Sequence, residues 1–498
     1  MKIIKVISVF VLFFLFDGAL AQSNNNYTQQ ADSICNVVFS KWNLPGMAVV
    51  IIKDGKEMLL KGYGKSDYST NGKEITPETQ FVIASTTKAM TAALLATVID
   101  NGKVNWNDTV INHLPDFKLY DPWVTQNFLI KDIMVHRTGF TAYAGDDLPH
   151  FGYNRDQLYT LLRHIRPTYS FRTKYAYNNA MYTVAAKLIE KHYNVSWDQA
   201  IETYLFKPLE MNSSTTGKNA YFNNERLAKG HRHYKEGDSI KFKLREDTLR
   251  GYAWLSAIAP AGFVVTTAKD MGNWLKMNIN NGVFNGNRVI SKESHSFLTT
   301  PQTITSSDSV TINNYAQGWT VEQGPSGRLI RHTGLAYGYT ALVAQMPELN
   351  MGIAILTNAG NTTTPHMAIA REIVELVSNT DNRDWVEHYL NRFMKPSTKK
   401  PTKEQQDTTT HKRLELYTGN YFKPDFGEVI ISLKEDKLFF SLNKIKSELK
   451  HKTGNTFTMV VPGVGKVEVN FFAGTNVPIE SLTFNIGDPI GKFYKEPF

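Results

Sequence analysis

The sequence predicts an α+β protein: an antiparallel sheet flanked by helices and interrupted by a helical subdomain, with a small all-β domain at the C-terminus. Three observations predict this class. Two early apolar runs joined by Asp54-Gly55 favour a β-hairpin, because Asp-Gly is a strong turn signal. The middle of the chain has helical periodicity, and strand-like runs return only after Gly262. Short strand-like runs separated by turns then fill residues 413–498.

The N-terminus predicts export. Lys2 and Lys5 precede an apolar run over residues 6–16, which has the length of a signal-peptide core and is too short to span a bilayer. Ala19-Leu20-Ala21 supplies the small residues that a signal peptidase recognises. We therefore expect residues 1–21 to be removed and the mature protein to be periplasmic or extracellular, with no stable membrane insertion. An uncleaved membrane anchor is the alternative.

The first hundred residues predict a helix, a hairpin and a second helix. Residues 27–42 form an amphipathic pattern in which the single cysteine, Cys35, is expected to be a small buried apolar residue. The hairpin strands are predicted at 47–52 and 57–60, and the second helix at 85–101, where Asn101-Gly102 ends it.

The later elements follow from the same periodicities. Helical segments are predicted at 129–135, 157–164, 181–192, 269–279, 367–377 and 385–393, and strands at 318–321, 341–346 and 351–357. Short strands of the C-terminal domain are predicted at 428–433, 437–442, 456–461, 466–472 and 481–486.

A change in composition separates the two folded domains. Residues 395–412 are rich in Pro, Lys, Thr and Gln and carry almost no apolar side chains, which is typical of an extended linker. The sequence therefore divides into a signal peptide at 1–21, a large domain at 22–394, this linker, and the all-β domain at 413–498.

Composition excludes several classes of function. One cysteine rules out a disulfide framework and every multi-cysteine metal site. The net charge of +9 is spread along the chain without a binding motif, so we expect no nucleic-acid partner. His231-Arg232-His233 lacks a further ligand at metal spacing and is predicted to lie in a solvated loop. No metal and no cofactor are expected.

The most informative short motif is Ser85-Thr86-Thr87-Lys88 at the start of a predicted helix. Residues three apart share a helix face, so the Lys88 amine is expected beside the Ser85 hydroxyl. A serine becomes nucleophilic when a neighbouring base takes its proton, and a helix N-terminus favours a developing oxyanion. Taken alone, the motif is more typical of a helix-capping serine followed by a solvated lysine.

Two later segments complete a pattern. Tyr177-Asn178-Asn179 precedes a helix, where a phenol could share a proton with Lys88 and an amide could orient it, or where an asparagine could simply cap the helix. Arg331-His332-Thr333-Gly334-Leu335 precedes an apolar strand, where the glycine would admit a substrate close to the backbone or would mark an ordinary edge turn. An aromatic-rich segment at 143–153, with Asp146 and Asp147, could line the substrate mouth or serve packing.

These three motifs, in this order, resemble those of the serine β-lactamase and penicillin-binding-protein family, and in particular its class C-like esterase and peptidase branch. Further segments that resemble the family are 43–46 with 54–56, 102–108, 130–139 and 260–263, with Arg137 and Thr138 as departures. The resemblance covers about residues 30–380. It implies a β-lactamase/transpeptidase-like fold, and residues 413–498 resemble the barrel-like domain appended to some members.

The resemblance also implies roles. Ser85 would be the acylated nucleophile, Lys88 its base, Tyr177 the proton partner and Asn179 the residue that orients Lys88 and the substrate. The oxyanion hole would use the N–H groups of Ser85 and Leu335. The family's third motif is usually Lys-Thr-Gly, whereas here it is His332-Thr333-Gly334. Because a histidine is largely neutral at pH 7, we expect it to be a weaker anchor for a substrate carboxylate.

The expected function is therefore that of an exported serine hydrolase that cleaves an amide or ester through an acyl-enzyme on Ser85. A peptidase for D-residue or cell-wall peptides and an esterase for small acyl esters both fit. The alternatives are a true class C-like β-lactamase and a non-hydrolytic protein that binds penicillin or cell-wall peptides. The expected partner is a small-molecule or peptide substrate. The C-terminal domain could cover the active site, select substrates or pack a dimer.

Overall fold

The computed structural model describes residues 26–496 apart from 69–71, 238, 247, 308–310, 325–326, 361, 381–382, 396–411, 425, 462–463, 474–478 and 485–490. The predicted signal peptide and nearly all of the predicted linker lie outside the described residues. Among the described residues, none of the helices combines the length and the apolar character needed to cross a membrane.

The described α-helices are numbered here in chain order. They are α1 (26–41), α2 (Thr87–Asp100), α3 (Val110–His113), α4 (Pro122–Asn127), α5 (Arg155–Leu161), α6 (Tyr182–Tyr193), α7 (Trp197–Ile201), α8 (Gly217–Tyr221), α9 (Thr248–Ala257), α10 (Ala259–Gly262), α11 (Ala268–Ile279), α12 (Lys292–Thr299), α13 (Thr364–Ser378) and α14 (Trp385–Met394).

The described strands fall into two groups. Those before the linker are β1 (Gly46–Lys53), β2 (Lys56–Gly64), β3 (Gln80–Val82), β4 (His231–Glu236), β5 (Ser239–Leu244), β6 (Val265–Thr267), β7 (Val283–Phe284), β8 (Asn287–Arg288), β9 (Thr303–Ser307), β10 (Ile312–Tyr315), β11 (Thr320–Gly324), β12 (Gly327–Ala336), β13 (Tyr339–Met346), β14 (Met351–Thr357) and β15 (Ala359–Gly360). Those after it are β16 (Gly419–Lys423), β17 (Gly427–Lys434), β18 (Lys437–Leu442), β19 (Ile445–Thr453), β20 (Thr456–Val461), β21 (Gly465–Ala473), β22 (Ile479–Phe484) and β23 (Phe493–Lys495).

An eight-stranded antiparallel sheet in the order β2-β1-β14-β13-β12-β11-β10-β9 forms the centre of the first of two compact units. This unit comprises the described residues up to Asp100 together with Asp198–Arg245 and Val264–Lys395. The late strand β14 pairs with β1, with Val49 opposite Ile355, so the hairpin at the start of the chain lies inside the sheet. Strand β1 is almost wholly apolar because it is buried on both faces.

Helices cover both faces of this sheet. On one face, Trp42, Val49, Ile355 and Ile369 belong to one continuous apolar core, to which α1 and α13 contribute. On the other face, α11 lies so close to β14 that a Cβ on Gly352 would be 2.9 Å from the side chain of Leu275. The glycine therefore leaves room for the Leu275 and Ile279 side chains of α11 to pack directly against the strand.

The second unit comprises Asn101–Trp197, Glu246–Phe263 and the C-terminal residues after Lys395. Its helical part carries α3 to α6, α9 and α10. Its C-terminal part is a closed barrel of eight strands in sequence order, β16 to β23. Inward-facing residues alternate with outward-facing ones along these strands, as in β18, and buried aromatic side chains fill the barrel.

The predicted α+β class, the hairpin, the flanking helices and the C-terminal all-β domain are confirmed. The predicted helix at 129–135 is wrong: only a 3₁₀ turn at Ile130–Asp132 forms, because the Asp132 carboxylate accepts the backbone N–H of Leu129 and closes a turn. Strands β16, β19 and β23 were not predicted. In β19 the sequence is mostly Lys, Glu, Ser and His, so it lacks the apolar alternation that marks a strand.

The predicted solvated loop at 231–233 is also wrong, because these residues begin β4 and His231 is fully buried. The imidazole Nδ1 donates to the Asn358 carbonyl at 3.1 Å, and Nε2 accepts from the Tyr68 backbone N–H at 3.1 Å. Burial lowers the pKa of His231, so it is a structural histidine held neutral by its two partners.

Candidate active site

Ser85 lies in a tight turn that leads into a long helix. Residues Ala84–Thr86 form one turn of 3₁₀ helix that continues into α2, and Ala84 has a positive φ of 47°. Two hydrogen bonds to Val264, which belongs to the same unit, hold this turn. The Ile83 N–H donates to the Val264 carbonyl at 3.0 Å, and the Val264 N–H donates to the Thr87 hydroxyl at 3.1 Å. A strained residue held by such bonds is typical of a functional turn.

The structure places the Lys88 amine beside the Ser85 hydroxyl. The distance from Lys88 Nζ to Ser85 Oγ is 3.2 Å, which allows a proton to pass between them. Lys88 is fully buried along α2, whereas Ser85 is half-buried. The amine is therefore shielded from bulk solvent, whereas Ser85 keeps part of its surface exposed. The predicted i, i+3 arrangement is present.

Strand β12 brings the third motif against the same turn. A Cβ on Gly334 would lie 2.1 Å from the Ile83 carbonyl oxygen and 2.9 Å from the Ser85 nitrogen, so the strand can pass only because residue 334 is a glycine. The next residue, Leu335, pairs with Thr340 of β13 and has a side chain that is 41% exposed. Residues 332–335 and Ser85 thus share one site in the first unit.

His332 is buried, and both ring nitrogens have partners. Nδ1 donates to the Thr333 carbonyl at 2.7 Å, and Nε2 is 2.8 Å from the Tyr315 hydroxyl, which donates to it. Burial and the nearby Lys88 lower the pKa of His332 to about 3, so the ring is neutral near pH 7. Tyr315 was not singled out in the sequence, because nothing local indicates that its hydroxyl bonds the His332 side chain of β12.

The second unit holds Tyr177 and Asn179 on the turn before α6. The buried His136, which has a positive φ of 57°, organises this turn. Its Nδ1 accepts the Asn178 N–H at 3.1 Å, and its ring centroid lies 4.3 Å from that of Tyr177. His136 belongs to the segment 130–139 on which the family resemblance partly rested, but no role was predicted for it.

The Asn179 side chain is held by a carboxylate. Its Nδ2 donates to Asp146 Oδ2, and both residues are buried. The Asp146 carbonyl in turn accepts from Trp254 Nε1 at 2.9 Å. The sequence marked Asp146 only as one of two acidic residues in an aromatic-rich segment, because a partner 33 residues away has no local signal.

The departure Arg137 has a structural explanation. The Asp132 carboxylate has no exposure to solvent, and it accepts from Arg137 Nη2 at 2.8 Å and from Arg172 Nη2 at 2.5 Å. The Arg172 backbone N–H also donates to the Arg137 carbonyl at 2.8 Å. Two arginines therefore neutralise one buried carboxylate and tie the segment before His136 to the segment before Tyr177.

The structure thus brings Ser85, Lys88 and His332–Leu335 together in the first unit, and places Tyr177 and Asn179 in the second. A buried amine beside a half-exposed serine hydroxyl can support nucleophilic attack on a carbonyl carbon. Within the part of the chain that the structure describes, no group of three or more His, Cys, Asp or Glu side chains could hold a metal ion.

Two family matches divide the chain. The family described as Beta-lactamase matches residues 34–378, and the Domain of unknown function (DUF3471) matches residues 403–490. The first match covers both the Ser85 turn and the third motif. The second covers most of the barrel.

Individual relatives are distant. The chain is 28% identical to the unguisins hydrolase ungD' of Aspergillus campestris, over 83% of this chain and 79% of that protein. It is 26% identical to protein flp of Staphylococcus aureus, over 69% of this chain and 65% of that protein, which is just under two thirds of its length. Among solved structures, the octameric penicillin-binding protein homologue from Pyrococcus abyssi is similar with a TM-score of 0.63 at 18% identity, over 94% of this chain and 99% of that one.

Proposed function

This chain is a member of the β-lactamase family, and we propose that it is an exported serine hydrolase that cleaves an amide or ester bond through an acyl-enzyme on Ser85. The single observation that carries the proposal is the 3.2 Å contact between the Lys88 amine and the Ser85 hydroxyl. A serine needs a base at this distance to become a nucleophile, and the described surroundings of Ser85 offer one.

The proposed reaction has two halves. Ser85 Oγ attacks the carbonyl carbon as its proton passes to Lys88, and the tetrahedral oxyanion accepts bonds from the backbone N–H groups of Ser85 and Leu335. Collapse of the intermediate breaks the bond to the leaving nitrogen or oxygen, which takes a proton that Tyr177 would deliver and then recover from the protonated Lys88, while Asn179 orients the substrate. Water then attacks the acyl-enzyme, releases the acid and returns the proton to the serine.

His332 narrows the proposed substrates. A lysine at the third motif would carry a fixed charge for a substrate carboxylate, whereas His332 is neutral and has both nitrogens engaged. We therefore place neutral esters and amides that lack a nearby carboxylate ahead of β-lactams. The relative from Aspergillus campestris is named as a hydrolase, which agrees with turnover rather than binding alone.

The experiment is a covalent labelling gel with a fluorophosphonate and a fluorescent penicillin, run on the wild type and on Ser85→Ala. Ser296→Ala, an exposed serine on α12, is the matched control. We expect both probes to label the wild type and the control but not Ser85→Ala. The kcat/KM of Ser85→Ala should fall by roughly 10³-fold or more, with Tm nearly unchanged, because the hydroxyl supplies reactivity rather than packing.

A substrate panel separates the remaining classes. The rates on a p-nitrophenyl ester, a D-amino-acid p-nitroanilide and a chromogenic cephalosporin are compared for the wild type. The highest kcat/KM on the cephalosporin would favour a β-lactamase, and labelling without turnover of any substrate would favour a penicillin-binding protein. More than about a tenth of wild-type activity in Ser85→Ala would overturn the assignment of the nucleophile.

A further inference from the structure

Within the second unit, one end of the barrel holds a short segment of the helical part. We name residues 148–153 the docking segment. Its central residue, Phe151, is fully buried, and the Phe151 ring centroid lies 5.3 Å from that of Phe484 and 6.4 Å from that of Phe426. The Tyr153 hydroxyl donates to the Phe426 carbonyl, and the Lys444 N–H is 3.4 Å from the Phe151 carbonyl.

The barrel residues in these contacts come from one end of the barrel. Phe426 lies between β16 and β17, Lys444 lies between β18 and β19, and Phe484 ends β22. In an up-and-down barrel these positions lie at the same rim. Phe484 also contacts Phe440 and Phe493 at 5.3 and 5.2 Å, so Phe151 completes an aromatic cluster of the barrel itself. The docking segment is thus anchored by the barrel's own core.

The residues just before the docking segment bind the turn that carries Tyr177 and Asn179. We name residues 143–147 the site loop. The Tyr143 N–H donates to the Tyr177 carbonyl at 2.7 Å, and Asn178 Nδ2 donates to the Ala144 carbonyl at 2.8 Å. The Asp146 carboxylate accepts from Asn179 Nδ2. Each of the three residues Tyr177, Asn178 and Asn179 therefore has a partner in the site loop.

We infer that the C-terminal barrel is a clamp that positions Tyr177 and Asn179 by fixing the docking segment and, through it, the site loop. Phe151 and Asp146 are then positioning residues. The inference rests on the proposed function for the roles of Tyr177 and Asn179, and it gives a purpose to a domain whose family is described as being of unknown function.

The local structure explains why a clamp is needed. The site loop and the docking segment contain one short 3₁₀ turn at Leu148–Phe151 and no longer helix or strand. Tyr143, Gly145 and Gly152 all have positive φ angles. Ordering such a stretch costs conformational entropy that regular hydrogen bonding does not offset, so tertiary contacts must hold it. The Phe151 side chain, which is fully buried against Phe426 and Phe484 at the barrel rim, provides such a contact.

The test uses the full chain with Phe151→Ala, and with Phe422→Ala as the matched control, because Phe422 is an exposed phenylalanine of the same barrel. Amide hydrogen exchange should rise at least tenfold over 143–153 and 177–179 in Phe151→Ala, and stay at the wild-type rate in the control. On the best substrate, kcat should fall roughly 10- to 100-fold with little change in KM, since small displacements of reacting groups lower turnover. Phe151→Leu should recover most of the loss.

Three further variants cover the case in which Phe151→Ala does not fold. Tyr153→Phe removes only the hydroxyl that bonds the Phe426 carbonyl, and should give the same exchange pattern with a smaller loss of kcat. Asp146→Ala should lower kcat more than Asp146→Asn, whose amide oxygen can still accept from Asn179.

Exchange that rises only inside the barrel, or unchanged kcat despite faster exchange over 143–153, would overturn the clamp. The exchange measurement needs no substrate, so failure of the clamp is distinguishable from failure of the proposed function. The proposed function is tested separately by the labelling gel with Ser85→Ala.

Discussion

At the scale of single residues, His332 shows how a motif can keep its place and change its chemistry. The strand around Gly334 passes beside Ser85 as the resemblance implied, but the residue two positions earlier is a neutral imidazole that is bonded to Tyr315 and Thr333. These contacts do not support the hypothesis that His332 binds a substrate carboxylate directly, because both of its ring nitrogens are already engaged. The alternative, in which the histidine shapes the strand, fits them better.

His332→Lys tests this difference. A lysine there would place a second amine in a buried site close to Lys88, and burying an unpaired charge is costly. We expect Tm to fall. We also expect the ratio of kcat/KM for a cephalosporin to that for a p-nitrophenyl ester to stay level, because burial beside Lys88 disfavours the charged form of the introduced amine. His332→Gln, which remains neutral, is the control and should lose less stability. A ratio that rises several-fold towards the cephalosporin at low salt would show that position 332 reads substrate charge after all.

At the scale of elements, the segment 130–139 departs from the family pattern at Arg137, and the charge of this arginine is balanced within the same segment by Asp132. The guanidinium of Arg137 is paired with the fully buried Asp132 carboxylate, which also binds a second arginine, Arg172. These contacts fix the backbone that leads into His136 and the turn at Tyr177. The arrangement links two segments that are 40 residues apart.

Asp132→Ala should therefore be strongly destabilising. Removing one partner of a buried ion pair leaves the other charges uncompensated, which costs about 3–5 kcal/mol. Asp156→Ala is the control, because Asp156 forms its ion pair with Lys187 while 72% exposed, and such surface pairs contribute about 0–1 kcal/mol. Urea denaturation monitored by circular dichroism measures both. Equal losses in the two variants would contradict a structural role for the Asp132 cluster.

The elements also show what the sequence could and could not predict. The pairing of Ser85 with Lys88 could be predicted, because helix spacing is a local property. Gly334 was expected to admit a substrate, whereas the backbone that approaches it in the structure is that of Ile83 and Ser85. Asp146 and Tyr315 could not be predicted, because each acts through a partner that only the tertiary fold brings near. The polar strand β19 was missed for a related reason: its pairing with β18 and β20, rather than its own pattern, makes it a strand.

At the scale of the whole molecule, buried histidines link stability to pH. Burial lowers the pKa of His366 to about 3 and that of His295 to about 4, and burial together with Lys88 lowers that of His332 to about 3. In the unfolded chain each would titrate near its ordinary value of about 6.5. Asp270 acts in the opposite sense, because burial raises its pKa, so at pH values just above the ordinary carboxyl range it offsets part of the histidine effect.

The direction in which the free energy of unfolding changes with pH follows from the number of protons that each state binds. Between pH 6.5 and about 4 the unfolded chain binds more protons at these histidines than the folded chain does, so the free energy of unfolding decreases as pH falls. Each fully neutral histidine contributes a slope of about 1.4 kcal/mol per pH unit in that window. Urea midpoints at pH 7.5, 6.0 and 5.0 should therefore decrease steadily. His366→Gln, a change at a residue bonded to Thr357 and absent from the proposed machinery, should make the decrease shallower, whereas a midpoint that stays level or rises on acidification would contradict the neutral, buried state of these side chains.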